Sequence, residues 1–298
     1  MPDAEQKKRA EALRTMHRGP GTLLLVNAWD VASARIVQET GFPAIATTSA
    51  GIAFTQGFPD GQKIPAERMI AAIAQIAAAV RVPVTADVEA GYGQRPEDAS
   101  GTARQVIEAG AVGMNFEDVT ENPDHPLTEL NLQVERIRAI RETAGKLGVP
   151  LVVNARTDVY LARVGEPSRR YDETLRRLAA YRDAGADCLF VPGVGDRETI
   201  GRIVTDLKYP INILAVPGAP SIPELVALGV KRISLGSGPM RASLGFLRRL
   251  AQELKTAGTY KGMEGAPSHA EMNQLMAADR GAETPELGTE NQEPRIKN

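Results

Sequence analysis

Three carboxylates stand where short apolar runs end: Asp87 and Glu89 in Ala86-Asp-Val-Glu-Ala-Gly-Tyr-Gly93, and Glu117 in Asn115-Phe-Glu-Asp118. Residues i and i+2 of a strand share one face, so a strand running through residue 89 turns Asp87 and Glu89 the same way. Carboxylates facing one another repel and desolvate badly unless a counter-charge joins them. A hard divalent cation supplies that charge, and oxygen ligands suit Mg²⁺, with Mn²⁺ as a substitute. An internal Lys or Arg is the plainer partner, but three acids at adjacent strand ends exceed one structural ion pair. Zinc is disfavoured, because His17, His125 and His269 are the only histidines and none ends a strand. The pattern is that of a metal-dependent enzyme.

Arg156, in Val152-Val-Asn-Ala-Arg-Thr-Asp158, can grip a substrate carboxylate with a planar fork that never loses its charge. A salt bridge to Glu117 or Asp158 is the structural alternative, and the two uses are compatible. Thr47-Thr-Ser-Ala-Gly51 offers a hydroxyl and consecutive backbone N–H groups for a carboxylate or a developing oxyanion. Asp118, next to Glu117, is expected to face away and cap a helix. Val216-Pro-Gly-Ala-Pro220 and Ser234-Leu-Gly-Ser-Gly-Pro-Met-Arg241 lie where many barrels bind phosphate, a rival signal of low specificity. Cys188, the single cysteine, sits inside an apolar run and reads as a buried, inert thiol.

These residues need elements to hold them. Glu39-Thr-Gly, Glu108-Ala-Gly, Asp183-Ala-Gly and Ala227-Leu-Gly each join a helix-like stretch to an apolar run, as a glycine C-cap would. Strand candidates fall at 22–27, 43–48, 83–89, 112–117, 150–156, 187–192, 211–216 and 231–235. Eight short apolar runs alternating with helices predict an α/β fold, a (β/α)₈ TIM barrel, with its polar strand ends converging on one mouth. An open doubly wound sheet would scatter those ends. Residues 1–258 are read as one barrel domain and 259–298 as a C-terminal arm, with 280–298 disordered or reaching a neighbouring subunit. Residues 51–65 are expected to be a long loop over the mouth.

With 43% hydrophobic but only 4% aromatic residues, the core must be aliphatic. A net charge of −2 gives no general pull toward nucleic acid or anionic membrane. The lone cysteine and the charged start of the chain, which lacks an apolar signal core, point to the cytoplasm.

Taken together, the motifs resemble the isocitrate lyase/phosphoenolpyruvate mutase superfamily over about residues 20–250. The likeness rests on Asn27-Ala-Trp-Asp-Val-Ala-Ser-Ala34, Thr48-Ser-Ala-Gly51, Phe58-Pro-Asp-Gly61, Asp87-Val-Glu-Ala-Gly-Tyr-Gly93, Phe116-Glu-Asp118 and Asn154-Ala-Arg156. The resemblance implies a barrel whose last helix is swapped between subunits of a homo-oligomer, a dimer or tetramer. It implies a small carboxylic acid substrate, with Asp87 a direct metal ligand and Glu89 and Glu117 acting directly or through water. Ser49, Ala50 and Gly51 would hold the substrate carboxylate, Arg156 would pair with it, and Asp60 would act from a mobile loop. Family lyases acting on isocitrate or methylisocitrate carry a Lys-Lys-Cys-Gly-His type loop after the Glu-Asp pair. Here that loop reads Val119-Thr-Glu-Asn-Pro-Asp-His-Pro-Leu127, where only Asn122 and His125 could meet a substrate.

The expected activity is therefore a carbon–carbon lyase or decarboxylase of small 2-oxo or 2-hydroxy dicarboxylic acids, working through a pyruvate-type enolate without true isocitrate lyase activity. A phosphonate P–C mutase or hydrolase on the same scaffold and a phosphate-binding aldolase-type barrel are the alternatives.

Overall fold

A computed structural model describes residues 2–277, so the tail at 280–298 lies outside the described residues. Leu23–Leu25 (β1) and Asn27–Ala28 (β2) are one strand interrupted at Val26. There follow β3 (Ile45–Thr47), β4 (Val84–Asp87), β5 (Gly113–Glu117), β6 (Val152–Arg156), β7 (Cys188–Phe190), β8 (Ile211–Leu214) and β9 (Arg232–Ser234). Every pairing is parallel, and from β2 to β9 each strand lies beside the next. Leu23 pairs with Arg232 of β9, whereas Asn27 pairs with Ala46 of β3. The two halves of the first strand thus join both ends of the sheet and close the expected barrel. All eight expected strand positions are filled, and from β3 onward each strand is shorter than its apolar run.

Helices α2 (Val31–Glu39), α4 (Ala66–Ala79), α5 (Pro96–Glu108), α6 (Leu130–Leu147), α7 (Arg170–Asp183), α8 (Arg197–Leu207) and α9 (Ile222–Ala227) cross between strands. Their apolar faces meet strands that are buried on both sides, which explains near-continuous Ala, Val, Ile and Leu runs instead of alternation. Residues 51–65 are not one long loop. Ser49–Thr55 forms α3, because Ile52 and Ala53 bury an apolar face and Thr48 caps its start. The loop proper is 56–65. Beyond α10 (Gly238–Ala257), the described part of the C-terminal arm carries α11 (His269–Ala277). This helix docks on α2 of its own chain, with Arg35 Nη1 donating to Leu275 O at 2.7 Å. Among the described residues no helix is long and apolar enough to cross a membrane.

One element escaped the sequence reading. Ala4–Arg18 is a helix, α1, with Gln6, Ala10, Leu13 and His17 buried on one stripe. It covers the end of the barrel opposite the carboxylates. Gln6 Nε2 donates to Ile107 O and Ala111 O at 2.7 and 3.2 Å, just before β5. Arg14 reaches Asp187, which precedes β7, at 3.4 Å. His17 is buried as well: its Nδ1 lies 2.8 Å from Leu13 O and its Nε2 3.3 Å from Arg232 Nη1. A carbonyl only accepts and a guanidinium only donates, so the neutral ring protonated at Nδ1 satisfies both.

Burial, with Arg232 beside it, holds His17 down at about 3. Its folded-state value lies below its unfolded one. Between about pH 6.5 and 3 the unfolded chain therefore takes up a proton that the folded chain refuses. Stability should be unaffected by this group above pH 6.5 and fall below it, at up to about 1.4 kcal/mol per pH unit. Urea unfolding between pH 7.5 and 5 checks this, since His17→Gln should flatten part of the slope. An unchanged slope in that variant would refute the assignment.

Candidate active site

β4 delivers Asp87 to the mouth, where it is nearly fully buried. Ser49 N and Ser49 Oγ both donate to its Oδ2, at 3.0 and 2.8 Å. Asn115 Nδ2 faces its Oδ1 at 3.4 Å. Register explains the last contact, because Asp87 pairs with Asn115 and Asn115 with Asn154 across β4, β5 and β6. Asn154 Nδ2 in turn donates to Asn115 Oδ1 at 2.7 Å.

Glu89 reaches the same place by another route than strand alternation. β4 has already ended, and Glu89, Gly91 and Tyr92 take φ of +52°, +83° and +53°. This left-handed turn curls the Glu89 side chain back toward the mouth. At Gly91 a Cβ would lie 2.6 Å from Phe116 Cε2, so glycine is required there for space as well as for φ. Glu89 Oε2 accepts from Gln62 N at 2.6 Å, while its buried Oε1 has no hydrogen-bond partner.

On the next strands Glu117 and Arg156 are register partners, and Arg156 Nη1 sits 2.6 Å from Glu117 Oε2. The other edge of the guanidinium clasps Asp158, Nε to Oδ1 at 2.5 Å and Nη2 to Oδ2 at 2.8 Å. Both suggested salt bridges of Arg156 therefore exist at once. Only Asp158 is hydrogen-bonded, whereas Glu117 Oε2 is held by charge without a hydrogen bond, so the Nη1 edge keeps its N–H donors for a ligand.

Asp118 is not a helix cap. Its fully buried carboxylate accepts from Thr157 Oγ1 (2.7 Å), Asp158 N (2.9 Å), Tyr181 OH (2.6 Å) and Arg177 Nη1 (3.2 Å). It fixes the turn that carries Asp158, and through Asp158 it fixes Arg156. These partners lie 39 to 63 residues later in the chain, beyond any local motif.

The loop 56–65 brings Asp60 over the mouth and is tied down beside it. Gln62 accepts from Tyr92 N at 2.7 Å through its side chain, and Lys63 Nζ meets Glu121 at 2.6 Å across the entrance. Ala50 and Gly51 lie in the first turn of α3 beside Ser49, with Gly51 N on Thr48 Oγ1 at 3.3 Å. Asn122 stays apart. It is exposed, and its Oδ1 is spent on Asp124 N at 3.0 Å in its own loop turn. His125 is exposed in the same loop. Cys188 is fully buried, its thiol pushed up to about 12. Sequence reasoning missed Gln62 and Asn115 as parts of the site, and named Asp158 only as a salt-bridge partner of Arg156. The i, i+2 phrases Asn115-Phe-Glu117 and Asn154-Ala-Arg156 carried the signal for the first layer below the mouth.

Electrostatically the mouth is short of positive charge. Burial, then Asp87 and Asp60, raises Glu89 to about 7. Burial and then Asp87 also raise Asp60. Glu117 is raised by complete burial, although Arg156 pulls the other way. Burial works against the charge of Arg156, but Glu117 and Asp158 outweigh it and strengthen its hold on its proton. A second positive charge at this point would relieve all four acids that face the cavity. The donors are all oxygens, and the orphaned Glu89 Oε1 is free to turn to a ligand, which fits Mg²⁺. Among the described residues no three His, Cys, Asp or Glu side chains already form a cage. A fit therefore requires water between the ion and some of the carboxylates, as Mg²⁺ prefers.

Comparison with known proteins gives the family of this barrel. The sequence model for phosphoenolpyruvate phosphomutase matches residues 13–255. A Burkholderia cenocepacia J2315 protein, assigned provisionally as a lyase/mutase, is 40% identical with a TM-score of 0.87, over 93% of this chain and 98% of that one. The structure of 2,3-dimethylmalate lyase, a PEP mutase/isocitrate lyase superfamily member, is 28% identical with a TM-score of 0.78, over 91% and 95%. Oxaloacetate decarboxylase of Bradyrhizobium diazoefficiens is 27% identical over 290 residues, 95% of this chain and 97% of the relative. The chain belongs to the phosphoenolpyruvate phosphomutase family, among the lyases and mutases of the isocitrate lyase/phosphoenolpyruvate mutase superfamily, and is an enzyme of that lyase type.

Proposed function

We propose that this enzyme is a Mg²⁺-dependent carbon–carbon lyase or decarboxylase of a small 2-oxo or 2-hydroxy dicarboxylic acid, with oxaloacetate-like substrates foremost. The observation that carries the reading is the loop after Asp118. It closes on itself through the Val119–Leu127 bridge and Thr120 N to Pro126 O at 2.9 Å, and it holds no thiol. The one cysteine is locked inside the barrel with its thiol raised to about 12, so no cysteine acid serves the mouth. A 2-oxo acid with a carboxylate on C3 needs no such group for scission. The C3–C4 pair becomes the C2–C3 double bond, CO₂ departs, and later protonation of C3 gives pyruvate.

Asp87, Glu89 and Glu117 would hold the metal, which when bound supplies electrophilic stabilisation of the developing enolate charge. The N–H donors of Arg156 not taken by Asp158 would pair with the substrate carboxylate, while Glu117 and Asp158 keep its plane fixed. Ser49 orients Asp87 through both its donors, and with Ala50 and Gly51 it would border the substrate carboxylate. Asp60 and Gln62 would shut the mouth against water. The relatives named oxaloacetate decarboxylase and 2,3-dimethylmalate lyase support this substrate class.

Phosphonate P–C chemistry on the same residues is the second reading, favoured by the family model. The phosphate-binding aldolase alternative is weakened by Asn27. Its Oδ1 accepts from Leu235 N and Gly236 N at 2.9 Å each, occupying amides that a phosphate would need. We also propose a homo-oligomer exchanging α10, which buries only Met240 and exposes Leu244, Phe246, Leu247 and Leu254. Light scattering on a size-exclusion column should give a dimer or tetramer, and a monomer would defeat this.

The purified enzyme with Mg²⁺ should release pyruvate from oxaloacetate, and more slowly or not at all from methylisocitrate, 2,3-dimethylmalate and phosphonopyruvate. Robust methylisocitrate cleavage would overturn the cysteine argument, and preference for phosphonopyruvate would move the assignment to P–C chemistry. Asp87→Ala should cost roughly three orders of magnitude in kcat, as should excess chelator, since the metal contributes several kcal/mol. Full turnover in chelator would exclude the metal. Arg156→Lys should lower kcat/KM about 100-fold, because an ammonium cannot clasp Asp158, Glu117 and substrate in one plane. Intact turnover with a lowered Tm would make Arg156 structural only.

A further inference from the structure

Arg232 is buried to 0% exposure inside the barrel, on β9, one layer below the mouth. Among the described residues no carboxylate forms an ion pair with it, and its Nε has no hydrogen-bond partner. An uncompensated buried charge is costly, and a well-packed apolar side chain would serve the core better. Its contacts indicate what offsets that cost. Nη2 donates to Asn115 Oδ1 at 3.1 Å, the same oxygen that accepts from Asn154 at 2.7 Å. Nη1 points the other way, to His17 Nε2 at 3.3 Å. The neutral His17 ring is anchored in turn on Leu13 O, so α1 holds the guanidinium from the barrel floor.

We propose that Arg232 is a positioning residue for the active site, acting through Asn115 to orient Asp87. An amide has one acceptor end and one donor end. With two donors on Oδ1, the Asn115 side chain cannot flip, and its Nδ2 must face Asp87 Oδ1. Asp87 is thereby held on both oxygens, by Ser49 on Oδ2 and by Asn115 on Oδ1. The field of the guanidinium adds to this, since Asp87 is among the charged groups that Arg232 feels. Orientation of a ligand by an outer partner is worth roughly 10- to 100-fold in metal affinity or activity.

Arg232→Met removes the donor and the buried charge while keeping an apolar volume, and Arg232→Lys keeps the charge without the two-ended fork. The proposal rests on the functional reading above only for its turnover measurement. Arg232→Met should keep its Tm within a few degrees or gain, and lose roughly 10- to 100-fold in kcat on oxaloacetate with little change in KM. Arg232→Lys should fall between it and wild type. In an Asn115→Ala background neither substitution should have a further effect, as expected of residues acting in series. The second readout is the Asn115 side-chain amide, observed by ¹⁵N labelling of asparagine and identified by its loss in Asn115→Ala. Its resonance should shift or broaden in both Arg232 variants. Unchanged turnover in Arg232→Met, additive losses in the double variant, or an unmoved Asn115 amide would each overturn the proposal. If the wild-type enzyme released no pyruvate from any substrate, the functional reading would fail alone. The amide resonance would still decide the role of Arg232, and if Arg232→Met did not fold, Arg232→Lys would carry that measurement.

Discussion

One guanidinium, that of Arg156, lets several acids share a barrel mouth. Glu117 lies on one side of it and Asp158 on the other, both within salt-bridge distance and both nearly fully buried. Removing Arg156 would leave two buried carboxylates without their counter-charge, at a cost of about 3–5 kcal/mol. The arrangement is braced from behind by Asp118, whose four donors come from β6–α7 residues and α7 itself. The backbone of residues 157 and 158 is held there by a carboxylate that faces away from the cavity. Two adjacent acids, Glu117 and Asp118, thus serve opposite sides of one strand end, one toward the ligand space and one toward the helical layer.

The polar character of the mouth continues inward. Asn115, Asn154 and Arg232 form a layer beneath Asp87, and His17 closes it from the far end. Around this column the packing is aliphatic, with Ala, Val, Ile and Leu filling the space between strands and helices. A polar axis in an apolar shell suits a site that must hold charge without water, because low dielectric strengthens each hydrogen bond that is satisfied. It also makes each orphan costly, which is why the unpartnered Glu89 Oε1 is informative.

Much of this was legible in the residues. The glycine-capped helix ends and short apolar runs were sufficient to place eight strands, and Asp87, Glu117 and Arg156 lie at strand ends as their spacing required. Period-two reasoning failed at Glu89, because the strand stops at Asp87 and a left-handed turn, invisible to alternation, brings the side chain back. Asp118 was misread as a cap because its partners are remote in sequence. The helix α1 was overlooked because its buried stripe includes Gln6 and His17, polar residues that count against a core face until their partners are known. The length and the Gly and Pro content of 51–65 suggest a loop throughout, whereas Ile52 and Ala53 pull its start into a helix. Local chemistry was readable; distant pairing was not.

The interrupted first strand has a consequence for the order in which the molecule can assemble. Leu23–Leu25 pairs with Arg232–Ser234, more than 200 residues later, while Asn27–Ala28 pairs with the next strand in sequence. During synthesis the second half can be zipped early, but the first half remains an open edge until nearly the whole barrel has left the ribosome. The last turn of the helix before it is in the same position, since His17 meets Arg232, and Gly19 O and Pro20 O accept from Lys231 Nζ. Closing the barrel is therefore a pairing of very high sequence separation, the kind that topology makes slow. Until it occurs, the floor beneath the carboxylates is missing, and the nascent protein carries its chemistry before it can hold it in place.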